Sequence, residues 1–195
     1  MNRRTTIVLL LVVVLLGAFL ALTRTETLDI GGEEAEEEET FEVIPLFEEA
    51  AMDVAVAFSI TDHETGDRFA AEMVEVGWEI TESPSEPEGD LVIDVLRLDA
   101  AARSLTTLTA TRQLSEIESL AEYGLDSARY TLAFNTIGGN QYALDIGGET
   151  VAGNSYYTQK PGDDLVSLVS AASLDTFVSF LSEPPYTEPM PTLEP

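Results

Sequence analysis

Tyr130-Thr131-Leu132-Ala133-Phe134-Asn135-Thr136-Ile137-Gly138-Gly139-Asn140-Gln141-Tyr142-Ala143-Leu144-Asp145-Ile146 reads as two strands and the turn between them. Tyr130, Leu132 and Phe134 alternate with smaller or polar residues, and Tyr142, Leu144 and Ile146 repeat the pattern after Gly138-Gly139-Asn140. Side chains of a strand point alternately to its two faces, so this period places one apolar set against a core. Glycine and asparagine supply the positive φ that a tight hairpin turn needs.

The same reading extends outward. Val54, Val56, Phe58 and Ile60 alternate, Asp62 to Asp67 is turn chemistry, and Arg68 to Val76 resumes an extended pattern. Gly77 to Ile80 is a third strand, ended by Pro84 and Pro87, and Leu91 to Leu98 fits strand or helix. Asp99 caps an expected helix whose Ala101, Leu105 and Leu108 share one face. Ser115 and Glu118 form a capping box ahead of Ile117, Leu120 and Ala121, with Gly124 as the stop of that second helix. Tyr156-Tyr157 and Leu165 to Val169 supply further strands, and Leu174, Phe177, Val178 and Leu181 a final amphipathic helix. Hairpin, extended segment and helix thus occur twice, which predicts a duplicated β-β-β-α unit. The expected class is α+β: a single N-terminal transmembrane helix, then antiparallel sheet with packed helices.

Upstream, Ile7 to Leu22 is a run of 16 apolar or small residues without charge. With Thr5, Thr6 and Thr23 it spans roughly 29 Å as a helix, close to the ~30 Å hydrocarbon core of a bilayer. Arg3 and Arg4 precede it, and the excess of Arg on that side predicts a cytoplasmic N-terminus and an exported remainder. Gly17 to Thr23 offers no good A-x-A cleavage pattern, which favours an uncleaved anchor over a signal peptide. The expected organisation is 1–24 cytoplasmic tip and anchor, 25–40 acidic linker, 41–182 extracytoplasmic domain, and 183–195 Pro-rich tail. The linker, with Glu33, Glu34 and Glu36 to Glu39, repels itself, and it reaches at most about 55 Å, so the domain stays near its membrane.

The net charge of −27 excludes nucleic-acid and anionic-lipid binding, both of which need a basic footprint. Such acidity with one lysine also fits a surface adapted to concentrated salt. No cysteine is present, which removes disulfides, thiol catalysis and thiolate metal sites. The one histidine, His63, stands in a turn with Asp62, Glu64 and Asp67 and reads as an exposed turn residue. That turn does not complete an EF-hand loop, though weak calcium binding there or at Asp163-Asp164 fits acidic turn chemistry. Gly138-Gly139 and Gly147-Gly148 match no phosphate loop and read as hairpin turns. Trp78, Tyr156 and Tyr157 read as packing residues before groove residues. No catalytic, cofactor or metal residue is assigned.

Several short stretches carry a family resemblance. They are the Arg-Arg start before the apolar run, Gly77-Trp78, Tyr123-Gly124-Leu125, Ile146-Gly147-Gly148-Glu149-Thr150, Tyr156-Tyr157, and the last helix running into Pro184-Pro185. In their order and spacing the chain resembles the membrane-anchored bacterial family DUF4340, a domain of unknown function. The resemblance implies an exported α+β domain of unassigned activity. It also implies association with ABC-type transport systems of the gliding-motility kind, and it supplies no catalytic residues to carry over. The expected function is a non-catalytic, membrane-anchored interaction or accessory domain with an ABC-type transporter subunit as partner. The alternative is a cation- or small-ligand-binding envelope module, and a carboxylate-dependent hydrolase stands third.

Overall fold

In the computed structural model, residues 43–87 and 89–189 are described. Their chain enters through β1 (Ile44–Pro45), makes a 3-10 turn at Glu48–Ala50, and runs into β2 (Ala55–Asp62), β3 (Arg68–Val74) and β4 (Gly77–Glu82). A short β5 (Val92–Ile93) precedes helix α1 (Val95–Thr106), which leads to β6 (Thr109–Leu114) and a second 3-10 turn at Leu120–Tyr123. Then follow β7 (Tyr130–Thr136), β8 (Gln141–Glu149), β9 (Ser155–Gln159), β10 (Val166–Ser170), helix α2 (Ala171–Ser179) and β11 (Tyr186–Thr187).

Nine of these strands make one antiparallel sheet in the order β1-β6-β10-β9-β8-β7-β2-β3-β4. At its centre the predicted hairpin pairs Tyr130 with Ile146, Leu132 with Leu144, and Phe134 with Tyr142, so one apolar set faces one side. Strand β2 adds Phe58 and Ile60 to the same face through its pairing with β7. Both helices cover this face. Asp94 caps α1 by accepting a hydrogen bond from the Arg97 backbone N–H at 3.0 Å, and Leu98, Ala101, Ala102 and Leu105 form its buried stripe. From α2, Leu174 and Phe177 are buried, and Phe177 meets Phe58 edge-on at 5.9 Å.

On the opposite face, β2, β3, β7 and β8 present Ala57, Ser59, Ala70, Ala133 and Ala143, and among the described residues neither helix packs there. The 3-10 turn at Leu120–Tyr123 lies against β8 at Gly147 and Gly148 and reaches toward β9, where Tyr123 meets Tyr157 edge-on at 4.8 Å.

This architecture corrects the expected α+β class. The described chain is mostly one antiparallel sheet carrying two short helices, and its halves are not copies. Strand β6 follows α1 but crosses to the far side of the sheet beside β10, whereas β11 follows α2 and pairs only with β5. The helix expected after Asp99 begins five residues earlier and ends at Thr106, where β-branched threonines take the chain into β6. Asp99 instead accepts the Trp78 indole N–H at 2.7 Å. Ser115 and Glu118 cap no α-helix: only Leu120–Tyr123 coils, with no buried side chain, and Gly124 closes it at φ +66°. The second helix thus lacks the core-facing stripe that stabilises a short helix in a protein. Helix α2 ends at Ser179, ahead of both the Leu181 expected in it and Pro184-Pro185, and Tyr186 and Thr187 pair with Ile93 and Val92. The expected span Ile7 to Leu22 lies outside the described residues, among which no helix is long and apolar enough to cross a membrane.

Candidate functional site

Two places combine chemistry with access. The first is a cleft of about 380 Å³ at the end of the sheet where β2 meets its turn. Its walls come from Glu64 in that turn, Arg129 and Tyr130 at the start of β7, and Glu149 and Tyr156 on β8 and β9; Gly147 and Gly148 form part of its lining. Glycine is required here because β8 passes directly over the second 3-10 turn. A Cβ on Gly147 would collide with the Tyr123 carbonyl oxygen and reach within 3.0 Å of the Gly124 carbonyl carbon. The β8–β9 register shifts between Ile146 and Glu149, so this pair is a strand irregularity and not the hairpin turn expected of it.

Charge inside the cleft is organised around Arg129. Its guanidinium lies 3.2 Å from Glu64 and 3.5 Å from Asp62, and stacks 4.8 Å from the Tyr130 ring centroid. Asp62 is buried and also accepts the backbone N–H groups of Glu64 and Thr65 at 2.8 and 3.2 Å. The Tyr156 hydroxyl faces two carboxylates, Asp175 Oδ1 at 3.0 Å and Glu149 Oε1 at 3.3 Å.

Burial pushes both phenols above their usual range. For Tyr156 the adjoining Asp175 and Glu149 add to that rise. For Tyr130, Arg129 pulls back while Asp62, Glu64 and Glu149 push up. A native-state pKa above the unfolded value of ~10 contributes stability that is whole below that pH and is lost as pH rises through the native value. An alkaline absorbance titration is therefore expected to show Tyr130 and Tyr156 ionising after the ordinary tyrosines, together with loss of structure. Tyr156→Phe removes one late-ionising phenol; an unchanged titration in that variant would contradict the placement.

The second place is the uncovered face. A trough of about 270 Å³ runs over Ala57, Ser59, Ala70 and Ala133, with Arg68, Glu72 and Asn135 along its sides. Arg68 is bridged to Glu82 at 2.6 Å. Beside the trough, His63 Nε2 lies 2.9 Å from Thr131 Oγ1, and that hydroxyl donates to Asp145 Oδ1 at 2.8 Å. With its proton committed to Asp145, Thr131 accepts from His63, so this imidazole nitrogen is a donor and not a base poised to take the Thr131 proton. Register on three adjacent strands creates this string, and no local motif announces it.

Other expected residues are placed as follows. Trp78 is buried beside α1, and Tyr157 lies on the face opposite Tyr156. Asp163 is held below the usual carboxylate range: burial works against ionisation, but Lys160, 3.3 Å away, and the Leu165 backbone N–H outweigh it. The acidic turns at Asp62 and Asp163 are thus already engaged by Arg129 and Lys160, and among the described residues no group of three His, Asp or Glu could hold a metal. Gly138-Gly139 does form the β7–β8 turn, and the Asp53 carboxylate fastens it by accepting the Gly138 N–H at 3.1 Å. The Thr136 hydroxyl, with the Val54 and Gly138 N–H groups, holds Asp53 below its usual range. Arg129, Tyr130 and Asp175 went unnoticed as site residues, because only the fold brings them to Glu149 and Tyr156.

The described residues form a single-sheet domain with both helices on one face. Residues 78–183 match the family described as Domain of unknown function (DUF4340), and the chain belongs to that family. The match begins at Trp78 on β4 and ends just after α2, so it takes in the central hairpin and most of the cleft. No curated protein and no solved structure matches the chain.

Proposed function

We propose that this chain is a non-catalytic, single-pass membrane-anchored accessory domain, displayed outside the cytoplasm, whose uncovered sheet face docks a basic surface of a membrane protein. The uncovered face carries the reading. Ala57, Ser59, Ala70, Ala133 and Ala143 leave the sheet low and broad there, so another surface can approach its backbone closely. Glu72, Glu79 and Asp145 lie on the strands of that face or along its β4 edge, while its Arg68 is already bridged to Glu82. Electrostatic complementarity then favours a basic partner and steers its approach.

Tether length selects a partner in or at the membrane. An acidic linker over 25–40 keeps the domain within about 55 Å of an anchor at Ile7 to Leu22. The family resemblance points to an ABC-type transporter subunit as that partner. The Thr131 proton, committed to Asp145, supports a non-catalytic reading of the only histidine's surroundings.

The test places a photo-crosslinking residue at Ala133 on the uncovered face, or at Ala100 on α1, in the full chain in its own membranes. Position 133 is expected to trap a discrete membrane protein, and Ala133→Arg together with raised salt to abolish its co-purification, while position 100 traps none. Equal capture from both positions, or capture indifferent to Ala133→Arg, would overturn the reading.

A further inference from the structure

Exposed apolar side chains collect at one end of the sheet. Met52 and Val54 lead into β2, Val76 stands in the β3–β4 turn and Ile137 in the β7–β8 turn, and they are 98, 53, 95 and 74 % exposed. Strand pairing sets these places side by side. Ala55 at the start of β2 meets Thr136 at the end of β7, and Ala57 meets Glu72 near the end of β3. At about 4.8 Å per strand, the two hairpin turns stand roughly 14 Å apart. At the opposite end, the turn from Asp62 to Asp67 holds no large apolar residue, and the β8–β9 turn holds only Val151. The chain also reaches the domain from the apolar end. Strand β6 runs toward that end, where Leu114 pairs with Val166, and β1 is antiparallel to β6, so Val43 leads into Ile44 from that side.

We propose that this end of the domain is a lipid-contacting rim, with Met52, Val54, Val76 and Ile137 entering the headgroup–acyl boundary of a zwitterionic bilayer. The inference rests on the membrane-anchored reading above. Several large apolar residues left bare at one end of a domain mark a contact surface. The β7–β8 turn suits lipid because its backbone is already paired: the Gly139 N–H donates to the Thr136 carbonyl at 2.9 Å, and the Thr136 N–H to the Asn140 carbonyl at 3.0 Å. Asp53, between Met52 and Val54, accepts the Val54 N–H at 2.8 Å and the Gly138 N–H at 3.1 Å, so its carboxylate is turned onto the protein's own backbone. Charge chooses the lipid. Glu75 stands beside Val76 and the chain carries a net charge of −27, so anionic headgroups repel the rim and zwitterionic ones do not. Four side chains hold a bilayer weakly, but a tether of at most about 55 Å keeps the local lipid concentration high enough for a weak contact to be occupied. The end of a sheet stands across its faces, so the rim and the uncovered face can be engaged together.

The chain has no cysteine, so one label site at a time can be introduced into the full chain. Val76→Cys, Ile137→Cys and, at the opposite end, Val151→Cys would each carry a polarity-sensitive fluorophore, with the protein reconstituted into phosphatidylcholine vesicles. All three positions are exposed, so the labels leave the core intact. Nitroxide groups on the lipid acyl chains are expected to quench labels 76 and 137 by about twofold or more, and to leave label 151 unchanged. Val76→Asp together with Ile137→Asp is expected to remove the quenching of a label at Met52→Cys. Vesicles rich in phosphatidylglycerol are expected to quench labels 76 and 137 less. A chain that does not float with the vesicles overturns the anchored reading and this inference together. A chain that floats, yet shows no quenching at 76 and 137, equal quenching at 151, or no response to the paired Asp substitutions, overturns this inference alone.

Discussion

Phe58→Ala is expected to lower the unfolding free energy by about 3–5 kcal/mol, the largest effect of any single truncation in the core. Phe58 lies where the central strands meet both flanking strands and the second helix. Its ring is 5.7 Å from Trp78, 5.9 Å from Phe177, 6.0 Å from Phe69 and 6.1 Å from Phe180, and only 3 % of its surface reaches solvent. Those neighbours come from β3, β4, α2 and the residue following α2, so they cannot all move in to fill the space. The cost is therefore transfer of the ring plus a cavity that persists. Domains of this size hold about 5–15 kcal/mol in total, so the variant should remain folded but close to its threshold. Urea unfolding should show a lower midpoint with an unchanged slope. Val76→Ala, at a 95 % exposed position, should stay within about 0.5 kcal/mol of the parent. A Phe58→Ala loss below about 1 kcal/mol would mean that β3, β4 and α2 do not meet on this ring.

How far the fold is legible in the sequence depends on whether a local pattern and a tertiary demand agree. For β7, β8 and the second half of β2 they do: period-two alternation puts Phe58, Ile60, Leu132, Phe134, Leu144 and Ile146 on the buried face, and two glycines make the turn, whereas Val54 is exposed and Ala55 buried because the β2–β7 register shifts between Ala55 and Ala57. The same holds for α2, whose Leu174 and Phe177 recur at helical spacing. Local pattern fails where the deciding partner is distant. Asp94 and Asp99 are equally good caps by type, and the indole of Trp78 claims the second one. Thr109 to Leu114 shows no alternation, and it is a strand because β10 and β1 flank it on both sides. A capping box is worth about 1 kcal/mol, too little to hold a helix that would bury nothing.

The cleft was harder still to read. Glu149 and Tyr156 stand in stretches that carry the family resemblance, but Arg129 with Tyr130, and Asp175, belong to two other places in the chain. Asp175 lies 26 positions after Glu149, and only the β9–β10 pairing followed by α2 brings both to one phenol. His63 illustrates the same limit. Its turn composition explains its exposure, while its contact with Thr131 depends on β2 lying beside β7 in one register.

Gly147→Ala is expected to cost about 2–4 kcal/mol, and to do so through backbone collision alone. Gly147 has no positive φ, so alanine would be conformationally welcome there in the absence of neighbours. Its new methyl group would instead enter the space of the Tyr123 carbonyl and the Gly124 backbone, neither of which can rotate away. Relief requires β8 to lift off the 3-10 turn, and that lift would carry Glu149 away from Tyr156. Gly66→Ala is the informative comparison. Gly66 has φ +82° with open space where a Cβ would stand, so its alanine variant bears only the left-handed penalty of about 1–2 kcal/mol. Thermal unfolding should rank Gly147→Ala as the more damaging of the two, with a melting temperature lower by roughly 5–12 °C than the parent. The two substitutions also separate in the cleft: Gly147→Ala should advance the ionisation of Tyr156 toward that of an ordinary tyrosine, and Gly66→Ala should leave it alone. Equal losses for both variants, with Tyr156 unaffected, would show that β8 does not press on the turn beneath it.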